Sequence, residues 1–228
     1  MFEGCSRMNS LPRDAPRLEL FTYYRSTSSY RVRIALALKG LDYTAIPVNL
    51  LGEVGEHLKP GYKAVNPQGR VPALRLESGE IITQSPAIIE YLEERYPDQP
   101  LLSTDLVLRA RQRAVAALIG CDIHPLHNVS VLNRLRGMGH DEADISGWIG
   151  HWIAEGLQAV EQLIDGTAFC FGNEPSVADV YLLPQVYAAR RFKVDLGACP
   201  RITRVEQRAL TYPAFQKAHP DAQPDKPD

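Results

Sequence analysis

The hydrophobic pattern becomes regular at residue 18. Residues 18–24 (LELFTYY) are rich in β-formers and predict a strand. From Ser28 to Gly40 the pattern turns helical. Val32, Ile34, Ala35, Leu36 and Leu38 supply the apolar side chains, Ser26, Thr27 and Ser28 are good N-cap types, and Gly40 is a stop. Residues 43–49 predict a second strand, and residues 53–64 a loop with a short helix. Residues 71–77 and 80–83 predict two strands joined by a hairpin turn at Ser78-Gly79. From Ser85 a helical pattern carries Ile88, Ile89, Leu92 and Tyr96 and stops at Pro97. The element order is βαβ followed by ββα.

Beyond a linker around residues 98–103 the pattern is helical as far as residue 220, without a convincing strand. Leu108, Val115, Leu118 and Ile119 mark one helix. Trp148, Trp152, Ile153, Leu157, Val160 and Ile164 mark another. The chain therefore predicts a small α/β domain over residues 18–97 and an all-helical domain over residues 104–220. Residues 1–17 read as an irregular extension. The tail from Pro220 to Asp228 reads as irregular, with packing as a strap the alternative.

Composition narrows the classes. The 228 residues are 45% hydrophobic and 23% charged, a globular balance rather than a disordered one. With 25 Lys plus Arg against 27 Asp plus Glu, there is no basic surplus for a dedicated nucleic-acid binder. No uninterrupted apolar run approaches the ~18 residues of a membrane helix, and the first ten residues contain no apolar stretch of a secretory signal. Cys5, Cys121, Cys170 and Cys199 are scattered without a CxxC pair, so neither a disulfide framework nor a metal site is expected. These features predict a cytoplasmic protein without a nucleic-acid or membrane partner.

Three clusters carry candidate chemistry. Arg25 to Arg33 places hydroxyls at a helix start, where free N–H groups and the positive dipole end favour an anion such as a thiolate; simple capping is the competing reading. Asn66 to Leu74 contains Val71-Pro72 at a strand opening, where Pro is tolerated and the peptide bond is either cis or trans. Gln84-Ser85 opens a helix and suits the charged end of an amino acid, or again a cap. Ser176 to Asp179 reads as a structural capping box, and Trp148 with Trp152 as core.

Taken in order, these clusters resemble the glutathione transferases, and the zeta class with its maleylacetoacetate isomerases in particular. Ser26-Thr27-Ser28-Ser29-Tyr30-Arg31-Val32-Arg33-Ile34-Ala35-Leu36 is similar to the class's opening Ser-Ser-Cys-x-x-Arg-Val-Arg-Ile-Ala-Leu. Asn66-Pro67-Gln68-Gly69, Val71-Pro72, Gln84-Ser85-Pro86-Ala87-Ile88-Ile89-Glu90-Tyr91-Leu92, Pro184-Gln185-Val186 and Arg191-Phe192-Lys193-Val194-Asp195-Leu196 extend the similarity over roughly residues 18–225.

The resemblance implies a thioredoxin-like domain followed by a helical one, glutathione as cofactor, a small dicarboxylate substrate and a homodimer. It implies that Ser26 meets the glutathione thiolate, with Thr27 and Ser28 beside it. Val71 pairs its backbone with the cysteinyl unit next to a cis Pro72, and Gln84 and Ser85 hold the γ-glutamyl end. His57, His124 and Asn128 are further glutathione contacts, with surface or capping roles the alternative for the histidines. Arg191 is implied to take a carboxylate of the substrate, and Arg25, adjacent to Ser26, is a second candidate for the same role; surface salt bridges are the alternative for both. Thr27 and Ser28 depart from the motif, since the class carries serine and cysteine there. The reaction implied is cis–trans isomerisation of maleylacetoacetate-type compounds. Maleylpyruvate isomerisation, general conjugation or dehalogenation, and glutathione binding without turnover remain alternatives.

Overall fold

The computed structural model describes residues 18–51 and 55–227. The expected extension at residues 1–17 and part of the 53–64 loop lie outside these. Four strands, β1 (Glu19–Thr22), β2 (Thr44–Pro47), β3 (Ala73–Arg75) and β4 (Ile81–Thr83), form one sheet in the order β2-β1-β3-β4. The β1–β2 pair is parallel, as the intervening helix α1 (Thr27–Leu38) requires; β1–β3 and β3–β4 are antiparallel. A short helix α2 (Pro60–Lys63) precedes β3, and α3 (Ser85–Arg95) follows β4.

The helical part comprises α4 (Leu106–Ala117), α5 (Val129–Gly137), α6 (Glu142–Leu163), α7 (Val177–Arg191), α8 (Pro200–Leu210) and α9 (Pro213–Ala218). One core runs through both parts: Leu20, Leu74, Val32, Ile34, Leu36, Ile88 and Leu92 join Ile119, Ile123, Val180 and Leu183. The other face of the sheet is covered by Phe21, Tyr23, Val48, Tyr62 and Val71.

Helix α1 lies between the sheet side, with α3, and helices α7 and α9. It is therefore buried nearly all round, which explains the unbroken apolar run Ile34-Ala35-Leu36. Two arginines go down with it. Arg33 is fully satisfied: Nε donates to the Ala218 carbonyl at 3.0 Å, Nη1 to Thr22 Oγ1 at 3.1 Å, and Nη2 to the Tyr24 carbonyl at 2.8 Å. These bonds hold the β1–α1 loop against α9.

The linker is similarly fixed. Buried Lys39 pairs with Glu93 at 2.7 Å and donates to the carbonyls of Tyr96 and Gln99, while Glu93 accepts the N–H groups of Leu101 and Leu102. In the capping box, Asp179 accepts from Ser176 N, Ser176 Oγ and Cys170 N at 2.8–2.9 Å. Trp148 packs against the core and its Nε1 donates to the Leu126 carbonyl at 2.7 Å.

Several details refine or extend the pattern-based expectation. β1 ends at Thr22 because Arg33 gathers the Tyr23 and Tyr24 carbonyls away from the sheet. β3 starts at Ala73, past Pro72, and α3 ends at Arg95 before Pro97. The tail packs as a strap: residues Pro220–Ala222 form a 3-10 turn, and the Asp225 carboxylate accepts the Tyr24 N–H at 2.8 Å. Finally, residues 106–137 form one helical stretch long and apolar enough, by length and composition alone, to cross a membrane. Within it the helix widens into π- and 3-10 turns around Pro125 and the backbone is extended at Asn128; it contacts α7 and α6 and carries several arginines.

Candidate functional site

A cavity of about 100 Å³ lies where α1, the β3 entry, the α3 N-terminus and the turns after α4 converge. Its lining brings together Ser28, Val71, Gln84, Ser85, His124 and Asn128, six of the residues singled out from the sequence. The Val71-Pro72 bond is cis. Ser26 sits at its edge, with Oγ 3.2 Å from Ser28 Oγ. A larger groove of about 840 Å³, along Leu38, Asp98–Leu101 and Tyr212–Lys217, contains none of them.

The hydroxyls at the start of α1 have distinct duties. Ser26 is the N-cap and accepts the Ser29 N–H at 3.2 Å. Ser28 donates to the Val71 carbonyl at 2.9 Å. A hydroxyl has one proton, and that of Ser28 is already committed. The proton shared between the two oxygens is therefore that of Ser26, which is free to turn toward an incoming anion. The capping reading is correct for Ser26 and leaves its donor available.

At the other wall Gln84 holds φ 70°, the left-handed region disfavoured for a non-glycine residue, immediately before buried Ser85 opens α3. The side chain of Gln84 donates to Gln68. After α4 the helix widens into a π-helical turn (Leu118–Ile123) and a 3-10 turn (His124–His127), which brings Gly120 and His124 to the cavity. Asn128 caps α5 by accepting the Ser130 N–H, and Ser130 Oγ accepts from Arg70 across the cleft at 3.0 Å.

The site is cationic. Among the described residues no carboxylate pairs with Arg25, Arg31, Arg70 or Arg191 within 4 Å, so the expected salt-bridge alternative for Arg25 and Arg191 is absent. The Arg191 guanidinium lies 4.4 Å over the Phe192 ring. Its pKa is lowered, first by desolvation and then by nearby Arg25, although the side chain keeps solvent contact. Burial holds the His124 pKa well below the usual range for histidine, and the charges of Arg31, Arg70 and Arg191 add to the effect. Burial likewise takes His127 down to about 4, against a hydrogen bond to Gln185 that raises it. Both imidazoles are neutral at pH 7, and guanidinium groups dominate the field.

Thr27 is buried within α1 and does not line the cavity. His57 also lies off the lining, beside Gly55, with its pKa lowered by burial. Arg25 and Arg191 stand outside the cavity, near Tyr23, Tyr24 and Tyr187. Sequence reasoning missed Arg31, Asn66, Gln68 and Arg70 as lining residues. Arg31 lies three residues after Ser28, hence on the same helix face, but its neighbours Ser29 and Arg33 give no sign in the sequence that it is buried.

A thioredoxin-like sheet unit, a helical partner and a polar cavity at the start of α1 define a glutathione transferase. The glutathione S-transferase N-terminal domain family matches residues 25–95. The maleylacetoacetate isomerase of Pseudomonas aeruginosa is 65% identical over 92% of this chain and 99% of its own. Among solved structures, the holo form of a bacterial zeta-class maleylpyruvate isomerase is 48% identical, with a TM-score of 0.88 over 92% of this chain and 100% of its own. A maleylacetoacetate isomerase from Anaeromyxobacter dehalogenans, with bound dicarboxyethyl glutathione and citrate, is 40% identical. Its TM-score is 0.82 over 93% of this chain and 98% of its own. The chain belongs to the zeta-class glutathione transferase and maleylacetoacetate isomerase family.

Proposed function

We propose that this chain is a glutathione-dependent cis–trans isomerase acting on maleylacetoacetate. The observation that carries the reading is the pairing of a free hydroxyl donor at a helix N-terminus with guanidinium groups lacking acidic partners. One half suits a thiolate and the other a dicarboxylate. The 65% identity to a maleylacetoacetate isomerase supports that substrate over maleylpyruvate.

The residues present fit glutathione: polar groups converge from Ser28, Gln84 and Ser85, and the field is positive. Gln84, Ser85 and the α3 N-terminus would hold its γ-glutamyl end, and the Val71 backbone its cysteinyl unit. When bound, glutathione supplies a thiolate that adds reversibly to the conjugated double bond and is returned unchanged. A free thiol with a pKa of about 8.5 is only a few per cent ionised at pH 7. The Ser26 hydroxyl and the α1 dipole raise that fraction. Arg191 and Arg25 take the carboxylates, with guanidinium forks suited to them. Neutral His124 and Asn128 face the same cavity and contribute hydrogen bonds without adding charge.

In this reading residues 18–97 form the glutathione side and residues 104–220 the substrate side. The protein works in the cytosol as a homodimer, for which exposed apolar residues such as Leu51, Leu106 and Val107 offer contact surface. The test is kcat/KM for maleylacetoacetate and for maleylpyruvate at fixed glutathione. A higher value for maleylacetoacetate supports the assignment, and a higher value for maleylpyruvate transfers it to the other substrate.

A further inference from the structure

Arg31 and Arg33 sit two residues apart on α1, both at 2% exposure or less, with opposite fates. Arg33 donates to three carbonyls and a hydroxyl. Arg31 makes no hydrogen bond or ion pair to any described residue, and its Nε and Nη2 are buried and unpartnered. Burial lowers its pKa to about 10, so it remains a cation at pH 7, and no carboxylate is among the groups that offset this. An uncompensated buried charge costs several kcal/mol. A fold that keeps one at the wall of a cavity is built to receive an anion there.

The surroundings say which anion. The guanidinium lies 4.4 Å over the Tyr181 ring, and Tyr181 also faces the Ser85 side chain. Gly120 leaves open the space beside it: a Cβ there would stand 3.0 Å from Tyr181 and 3.9 Å from Arg31 Nη1. Arg31 thus belongs to the Ser85 end of the cavity, at the N-terminus of the eleven-residue helix α3. Arg191 and Arg25 form a separate cationic pole among Tyr23, Tyr24 and Tyr187. The neutral histidines His124 and His127 are within electrostatic reach of both Arg31 and Arg191.

We infer that Arg31 is the buried counter-cation for the α-carboxylate of glutathione's γ-glutamyl unit, completing the Gln84–Ser85 anchor from inside the protein. The inference rests on the glutathione-binding part of the proposed function and is independent of the isomerase chemistry.

The test compares glutathione with 4-aminobutyryl-cysteinyl-glycine, the same peptide lacking only the α-carboxylate, by calorimetry on wild type, Arg31→Met and Arg31→Lys. Wild type should bind glutathione ~10- to 100-fold more tightly than the decarboxylated peptide, since a charge-assisted pair is lost. Arg31→Met should cut that ratio at least ~5-fold by weakening glutathione alone, the remainder being held by Ser85 and the α3 N-terminus. Arg31→Lys should restore part of it. The ligand-free melting temperature of Arg31→Met should not fall, because the deleted charge had no partner.

Equal binding of the two peptides by wild type overturns the inference, and needs no variant. A preserved ratio in Arg31→Met overturns it, as does equal weakening of both peptides with a lowered melting temperature, which marks a structural role. A raised KM for the dicarboxylate with unchanged glutathione affinity assigns Arg31 to the substrate instead and also overturns it. No maleyl compound enters the binding measurement. Wild type that binds glutathione without isomerising would therefore contradict the isomerase reading while this test still decides on Arg31.

Discussion

Ser26 and Ser28 differ by one proton's destination, and that difference is measurable. Ser28 gives its proton to the Val71 carbonyl at 2.9 Å, whereas Ser26 shares its proton only with Ser28 Oγ at 3.2 Å. On this geometry Ser26→Ala removes the donor to a bound thiolate and Ser28→Ala does not. A hydrogen bond to a charged group is worth ~1.5–3 kcal/mol, which corresponds to ~1–2 pKa units on the thiol. The bound thiol in Ser26→Ala should therefore titrate ~1–2 units higher, followed by thiolate ultraviolet absorbance of the glutathione complex. Turnover at pH 7 and saturating glutathione should fall ~10- to 100-fold, and the deficit should shrink as pH rises. Loss of the N-cap bond to Ser29 should also cost about 1 kcal/mol of stability, read by denaturant unfolding. Ser28→Ala should shift the thiol by less than half as much. If Ser28→Ala raises the thiol pKa as far as Ser26→Ala, or Ser26→Ala leaves it unmoved, the proton assignment is wrong.

Arg191→Ala should raise KM for the dicarboxylate at least ~10-fold while changing that for glutathione by less than ~3-fold; equal changes in both would place Arg191 in the scaffold rather than at the substrate. Acid stability should reflect the buried histidines. His127 titrates near 4 when folded and near 6.5 when unfolded, so below pH 6.5 the unfolded chain gains a proton that the folded chain refuses. Its contribution is fully present above pH 6.5 and is lost as pH falls toward 4, about 2 kcal/mol of it by pH 5. Chemical denaturation across pH 5–7 should show this slope, flattened in His127→Asn, and an unchanged slope in that variant would exclude the assignment. Gly156→Ala should destabilise by ~1–3 kcal/mol, because the new methyl would clash with the Ile123 side chain against the π-helical turn; an unchanged melting temperature would show that this packing yields freely.

The element order was legible because each element matches its own period: Leu20 and Leu74 face the core from strands, and Ile88 and Leu92 from a helix. Strand ends were less legible. Tyr23 and Tyr24 have strand propensity, but a buried arginine nine or ten residues later takes their carbonyls. The hydroxyl cluster, Val71, Gln84 and Ser85 stood out because capping and strand-opening chemistry is local in sequence. Arg31 and Arg70 did not. Arginine in sequence looks like surface, and only the packing of α1 between the sheet side and α7 reveals that Arg31 is buried without a partner. The same limit applies to His57, whose local pattern cannot say that it lies off the cavity lining.

As a cofactor of isomerisation, the thiol of glutathione leaves the reaction as it entered. The direct measurement is isomerisation of maleylacetoacetate at glutathione far below substrate concentration, with trans product and free thiol followed together. Many turnovers per glutathione are expected, none without it, with the thiol constant throughout. Product that stops at one equivalent of glutathione, with the thiol consumed, would contradict this role and identify a conjugating transferase instead.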